Sequence, residues 1–125
     1  EIQVNDKQLT SHFNAKEMEC GCDCREVSMN TEFMKKLESA RVHADTPFKI
    51  NSGFRCKEHN KAVGGKPTSA HLTGQAADIV ATTSRERHKI LFSLVSIGFN
   101  RIGIAKKFIH ADSDQTKHNR VIWLY

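Results

Sequence analysis

The sequence lacks any apolar run approaching the ~20 residues that a membrane-spanning helix needs. Its longest such stretch, Ile90 to Phe99, is broken by Ser93, Ser96 and Gly98. Internal repeats, low-complexity tracts and linkers are also missing, which sets aside fibrous and disordered classes. Basic residues form no run interleaved with aromatics; only Lys35-Lys36 and Lys106-Lys107 are adjacent pairs. Nucleic acid is therefore not an expected partner. Four Cys are too few for a scaffold built on disulfides. No signal-peptide pattern is visible, and the cysteines do not reveal a compartment.

What is present is the composition of an ordinary globular chain. It has 125 residues, 38% hydrophobic and 26% charged, with a net charge of +5 and a pI near 9.2. The length predicts one domain, residues 1–125, and a monomer. The positive charge suits an anionic polymer or an acidic substrate. Seven His and four Cys in so short a chain raise a metal hypothesis, with Cys20, Cys22 and Cys24 in close succession.

Residues 1–27 are polar and rich in turn signals, and are expected to be an irregular Cys-containing segment. Ser28 or Asn30 can cap a helix running to about Ala44, with Phe33, Met34, Leu37 and Ala40 on one face. Pro47 ends it, and Phe48 to Asn51 reads as a short strand. Lys57 to Val63 is a second helix, closed by Gly64-Gly65. Ala76 to Val80 reads as a buried strand. Thr83 with Glu86 forms a capping-box signal for a helix that turns Ile90, Leu91, Leu94 and Val95 inward and stops at Gly98. Arg101 to Ala105, Phe108 to Asp112 and Val121 to Tyr125 complete the set as strands. The order predicts an α+β fold, a small and mostly antiparallel sheet with packed helices.

The informative stretch is Ser69-Ala70-His71-Leu72-Thr73-Gly74-Gln75-Ala76-Ala77-Asp78. A histidine before a glycine turn and an aspartate on the strand after it can converge on one point. His110 offers a third ligand, and on its strand Phe108, His110 and Asp112 share a face opposite Ile109 and Ala111. Two imidazoles and one carboxylate leave the fourth position of tetrahedral zinc open, the pattern of a catalytic site.

Ser-x-His-x-x-Gly-x-Ala-x-Asp resembles the signature of the zinc D-alanyl-D-alanine carboxypeptidase family. That group includes L-alanyl-D-glutamate endopeptidases of phages and bacteria and shares its fold with the hedgehog signalling domain. Ser52-Gly53-Phe54-Arg55, Cys56 with His59-Asn60, Val63-Gly64-Gly65, and Arg101-Ile102-Gly103 through His110-Ala111-Asp112 follow in the family's order. The resemblance covers about residues 28 to 112.

The resemblance implies zinc held by His71, Asp78 and His110, Arg55 gripping a substrate carboxylate, and Ser69 hydrogen-bonding substrate. Many relatives carry an acidic general base three positions before the last histidine ligand, where this chain has Lys107. Asp112 is the expected replacement, with orientation of a ligand histidine as its other reading. The implied reaction is hydrolysis of a peptidoglycan stem peptide at the cell wall. The compact format resembles a small phage or prophage lysis enzyme. A zinc-containing binding module that has lost catalysis is the alternative, motivated by Lys107. Some small relatives also carry an early cysteine-rich segment and a cysteine after the arginine. Cys20, Cys22, Cys24 and Cys56 can thus be free thiols, a disulfide from Cys56 to one of the three, or a second metal site, although single-residue spacing is tight for zinc. His59 is expected to support the site through its loop, and His118 is a less favoured ligand than His110.

Overall fold

The computed structural model describes residues 8–125. In chain order the elements are α1 (Ala15–Met18), α2 (Thr31–Ala44), β1 (Ile50–Ser52), α3 (Lys57–Ala62), a 3-10 turn (Ala70–Thr73), β2 (Ala76–Val80), α4 (Ser84–Ile97), β3 (Arg101–Ile104), β4 (Phe108–Asp112) and β5 (Val121–Leu124). The strands form one sheet in the order β1-β2-β4-β3-β5. All neighbours are antiparallel except β3 and β5, which run parallel. This is the expected α+β fold with a mostly antiparallel sheet.

The local signals explain the elements. The Asn30 side chain accepts from the Phe33 N–H and starts α2, so Asn30 rather than Ser28 is the cap. Thr83 and Glu86 form the full reciprocal capping box of α4. Gly98, at φ 105°, ends that helix in the left-handed region open to glycine. β1 begins at Ile50, two residues after the expected start.

Helices α2 and α4 pack together and cover one face of the sheet. Phe33, Leu37 and Ala40 from α2, and Ile90 and Leu94 from α4, meet Ala77, Ile79, Ile102, Ile109 and Ala111 from the strands. Val95, expected inward, is 50% exposed. It lies about 100° around the helix from Leu94, off the stripe that Ile90, Leu94 and Ile97 define.

The segment expected to be irregular holds more structure than its polarity suggests. Asn14 and Glu17 form a capping box that nucleates α1, and Phe13, Met18 and Cys20 are buried. The part of that expectation covering residues 1–7 lies outside the described residues. Met18 packs against Gly53, where a Cβ would come within 2.8 Å of the Met18 backbone and sulfur. The Phe54 N–H donates to the Met18 carbonyl at 2.9 Å. The arm thereby braces the turn that leads out of β1.

Candidate metal centre

The face of the sheet away from the helices carries the chemistry. Side chains alternate along β4, so burying Ile109 and Ala111 against the helices sends His110 and Asp112 to the other face. Register then aligns one row across five strands: Ser52 pairs with Asp78, Asp78 with His110, His110 with Gly103, and Gly103 with Trp123. The next row sets Asp112 opposite Arg101. A slip of one residue in β4 would dismantle both rows.

His71 comes from the 3-10 turn that precedes β2. The Ser69 hydroxyl accepts from the His71 N–H at 3.2 Å and opens this turn. Gly74 closes it at φ 71°, and a Cβ there would sit 2.0 Å from the Ser28 carbonyl oxygen. The His71 Nδ1 lies 2.7 Å from the Gly53 carbonyl. A carbonyl only accepts, so Nδ1 carries the proton and Nε2 presents a lone pair to the cavity. His71 Nε2 is 3.5 Å from Asp78 Oδ1, and His110 Nδ1 is 2.8 Å from the same oxygen. One donor atom from each of the three residues lies within 4.8 Å of the others, and all three side chains are buried.

His110 is held at both ring nitrogens. Nδ1 faces Asp78, while Nε2 meets Asp112 Oδ2 at 2.7 Å. Burial pushes the His110 imidazole down, but hydrogen bonds to Asp112 and Asp78 outweigh it and raise the pKa above the ordinary value. For Asp78, burial works upward, and hydrogen bonds and charge from His110 and His71 bring it well below the carboxylate range. Asp112 is likewise lowered: burial opposes, and His110, the Asp114 N–H and the Arg101 charge prevail. Its Oδ1 accepts from Arg101 Nε at 2.8 Å and from the Asp114 N–H at 3.1 Å. Both Asp112 oxygens are therefore engaged, and one of them holds the ring nitrogen that Asp78 does not touch.

Arg55 enters from the turn after β1. Its Nε donates to Ser52 Oγ at 3.3 Å, its Nη1 to Asn60 Oδ1 at 2.9 Å, and its Nη2 lies 3.9 Å from Asp78 Oδ2. Gly65 makes this clamp possible, since a Cβ there would fall 2.1 Å from Asn60 Oδ1 and 2.7 Å from Arg55 Nη1. Arg55, Ser69, His71, Asp78, His110 and Asp112 all line one cavity of about 590 Å³. These six candidates proposed from the sequence thus reach the same place. Lys107 is exposed and does not line the cavity. His118 is exposed, and its carbonyl accepts from Arg101 Nη1. His59 points elsewhere, toward Gly21 in the cysteine segment.

A model of the peptidase M15 family matches residues 11–112. The chain belongs to the peptidase M15 family. Comparison with curated proteins finds no match. Membership places the chain among the metallopeptidases. The donor set fits such a metal: two imidazole nitrogens and one carboxylate, close together and already oriented by hydrogen bonds, suit a zinc-like ion.

Sequence reasoning gave no role to three features of this M15 site. Trp123 lies against His110, with ring centroids 5.5 Å apart, and against the Arg101 guanidinium at 5.1 Å. Tyr125 joins it next to Phe108, and the three aromatics form one wall of the cavity. The available signal was Gly103 inside a strand, which marks a close approach. A Cβ there would fall 2.5 Å from Trp123 Nε1.

Proposed function

We propose that this chain is a zinc-dependent peptidase acting on peptidoglycan stem peptides at the cell wall. The observation that carries the reading is the His71, Asp78 and His110 donor set on the wall of a cavity that also holds Arg55. Zinc bound by these three residues would supply a water activated near neutral pH and would polarise a scissile carbonyl.

The remaining roles belong to the chain's own side chains. Arg55 keeps donors beyond its contacts with Ser52 and Asn60 and its longer pairing with Asp78, and grips a carboxylate of the stem peptide. Lys66 and Lys117 also line the cavity, so it favours an anionic peptide. Ser69 accepts from its own turn and retains its hydroxyl proton to donate to substrate. Trp123, Tyr125 and Phe108 form a flat apolar wall against which the peptide lies. Asp112 takes a different role from the general base expected of it. Both its oxygens are engaged, so it orients His110 and strengthens that imidazole as a ligand. The substrate is either a terminal D-alanyl-D-alanine or an internal L-alanyl-D-glutamate bond, in the setting of a phage or prophage lysis enzyme. All of these groups come from one chain, which is consistent with action as a monomer.

A second reading has its own observation. Asp78 and Asp112 are the carboxylates lining the cavity, and neither is free to take a proton. A binding module that holds zinc and stem peptide without turnover fits that fact. Digestion of purified muropeptides, with zinc and with chelator, separates the two by mass spectrometry of the products. Zinc-dependent release of D-alanine, or cleavage after L-alanine, is the expected result. Unchanged peptides with zinc shown bound would overturn the peptidase reading and leave the module.

A further inference from the structure

A second cluster of metal-type ligands shares no residue with this centre. Cys20, Cys22 and Cys24 come from the loop after α1, and Cys56 from the residue after Arg55. Their four sulfurs lie within 4.8 Å of one another. Cys20 and Cys22 are 3.5 Å apart, Cys20 and Cys56 3.6 Å, Cys22 and Cys56 3.6 Å, and Cys22 and Cys24 3.0 Å. Tetrahedral zinc with bonds of about 2.3 Å separates its sulfurs by about 3.8 Å. The three longer distances are near that figure, and all four cysteines are free thiols rather than paired.

The backbone around the sulfurs is the independent observation. Each sulfur accepts one backbone N–H: Cys20 from Cys56 at 3.3 Å, Cys22 from Cys24 at 3.4 Å, Cys24 from Glu26 at 3.4 Å, and Cys56 from His59 at 3.4 Å. Donors aimed at every sulfur of a set stabilise thiolates and their metal, as outer hydrogen bonds do in known thiolate sites. The loop is also closed for the purpose. The Cys20 N–H donates to the Glu26 carbonyl at 2.7 Å, and Arg25 turns the chain back at φ 52°. Gly21 lets the loop pass the His59 ring, since a Cβ there would lie 3.1 Å from His59 Nε2. The single-residue spacing that argued against zinc is relieved, because the loop curls and the fourth ligand arrives from a different element.

We infer that Cys20, Cys22, Cys24 and Cys56 form a closed tetrathiolate site for one zinc ion, separate from the peptidase centre. With four protein ligands it keeps no position for water, so its role is structural. It ties the N-terminal arm to the turn bearing Arg55. Binding converts the thiols to thiolates and releases their protons to solvent, with no change of oxidation state.

The test reads metal rather than activity, so it stands or falls apart from the peptidase reading. The purified full chain should contain two zinc ions, and the His71→Ala/His110→Ala variant should keep one. The wild-type chain gives a second readout that does not depend on any variant folding. Loaded with cobalt, it should show the intense near-ultraviolet band of thiolate-to-cobalt charge transfer, which a His, Asp, His centre without sulfur cannot produce. Cys24→Ser, at the exposed ligand, should weaken that band and lose up to one zinc per chain. A cobalt-loaded wild type without the band would overturn the site. An intact mass lower by the four thiol hydrogens would do the same, by showing two disulfides. Iron found there in place of zinc would overturn the choice of ion.

Discussion

The two ligand clusters of this chain are built in opposite ways. The His71, Asp78 and His110 set stands largely on sheet strands, fixed by register, and opens onto a cavity. The four cysteines stand on two loops, fixed by backbone N–H groups, and close on themselves. A centre that works on substrate needs a rigid base and an open ligand position. A centre that only holds can be assembled from loops, because the ion itself supplies the rigidity. The mixed nitrogen and oxygen donors suit the first task, and the uniform sulfur donors suit the second.

The comparison can be broken most severely at His71. His71→Ala should abolish the zinc-dependent release of product from muropeptides, a loss of ~10³-fold or more in kcat/KM. Metal analysis should show the cysteine zinc retained. Simultaneous loss of both ions would mean that the clusters are one cooperative unit. Arg55→Ala should come next. Loss of a charge-assisted carboxylate contact worth about 1.5–3 kcal/mol corresponds to a fall of roughly 10–150-fold in kcat/KM. It should appear mainly in KM, and a substrate with its carboxylate amidated should show no further loss.

Asp112→Asn sharpens the comparison at its middle. With the carboxylate gone, zinc affinity should fall ~10–100-fold, as measured by competition with a chromogenic chelator. Saturating zinc should restore most of the turnover. Unchanged affinity with lost turnover would return Asp112 to the role of general base.

The smallest effect concerns the arm that carries three of the cysteines. Glu38 accepts from the Thr10 hydroxyl at 2.7 Å and the His12 N–H at 2.9 Å, and pairs with the His12 ring. Burial works to raise its pKa, but hydrogen bonds from His12 and Thr10 outweigh it and hold Glu38 below the glutamate range. A lowered folded-state pKa stabilises above the unfolded value of ~4.3 and is lost as pH falls through the folded value. Hydrogen-exchange protection at Leu9 and Thr10, measured against the intrinsic rate at each pH, should therefore fall on acidification in the wild type. In Glu38→Gln that protection should be lower at neutral pH and change less with acid. An equal acid response in both would assign the loosening to another group.

Much of the site was legible because strands alternate and turns are chemically marked. The face shared by His110 and Asp112 follows from period two, and the His71 to Asp78 turn from Gly74. Spacing within one strand could not say which nitrogen of His110 Asp112 would meet. That depends on the pairing of β4 with both β2 and β3, which brings Asp78 and Arg101 in from opposite sides. Cys56 joining the early cysteines was suggested only by the resemblance, because the approach itself rests on Met18 packing against Gly53. α1 was missed although its Asn14 to Glu17 capping box stood in the sequence. Polarity was allowed to outweigh a local signal there.

One consequence concerns how such a chain can change over evolution. The family match stops at Asp112, the last residue of β4, while β5 and its Trp123 lie beyond it. β5 sits at the edge of the sheet, and its strand pairing is with β3. The candidate ligands lie within the matched stretch, and the Trp123 and Tyr125 part of the cavity wall follows it. Replacing the closing stretch would alter which peptides are admitted while the ligands stay in register.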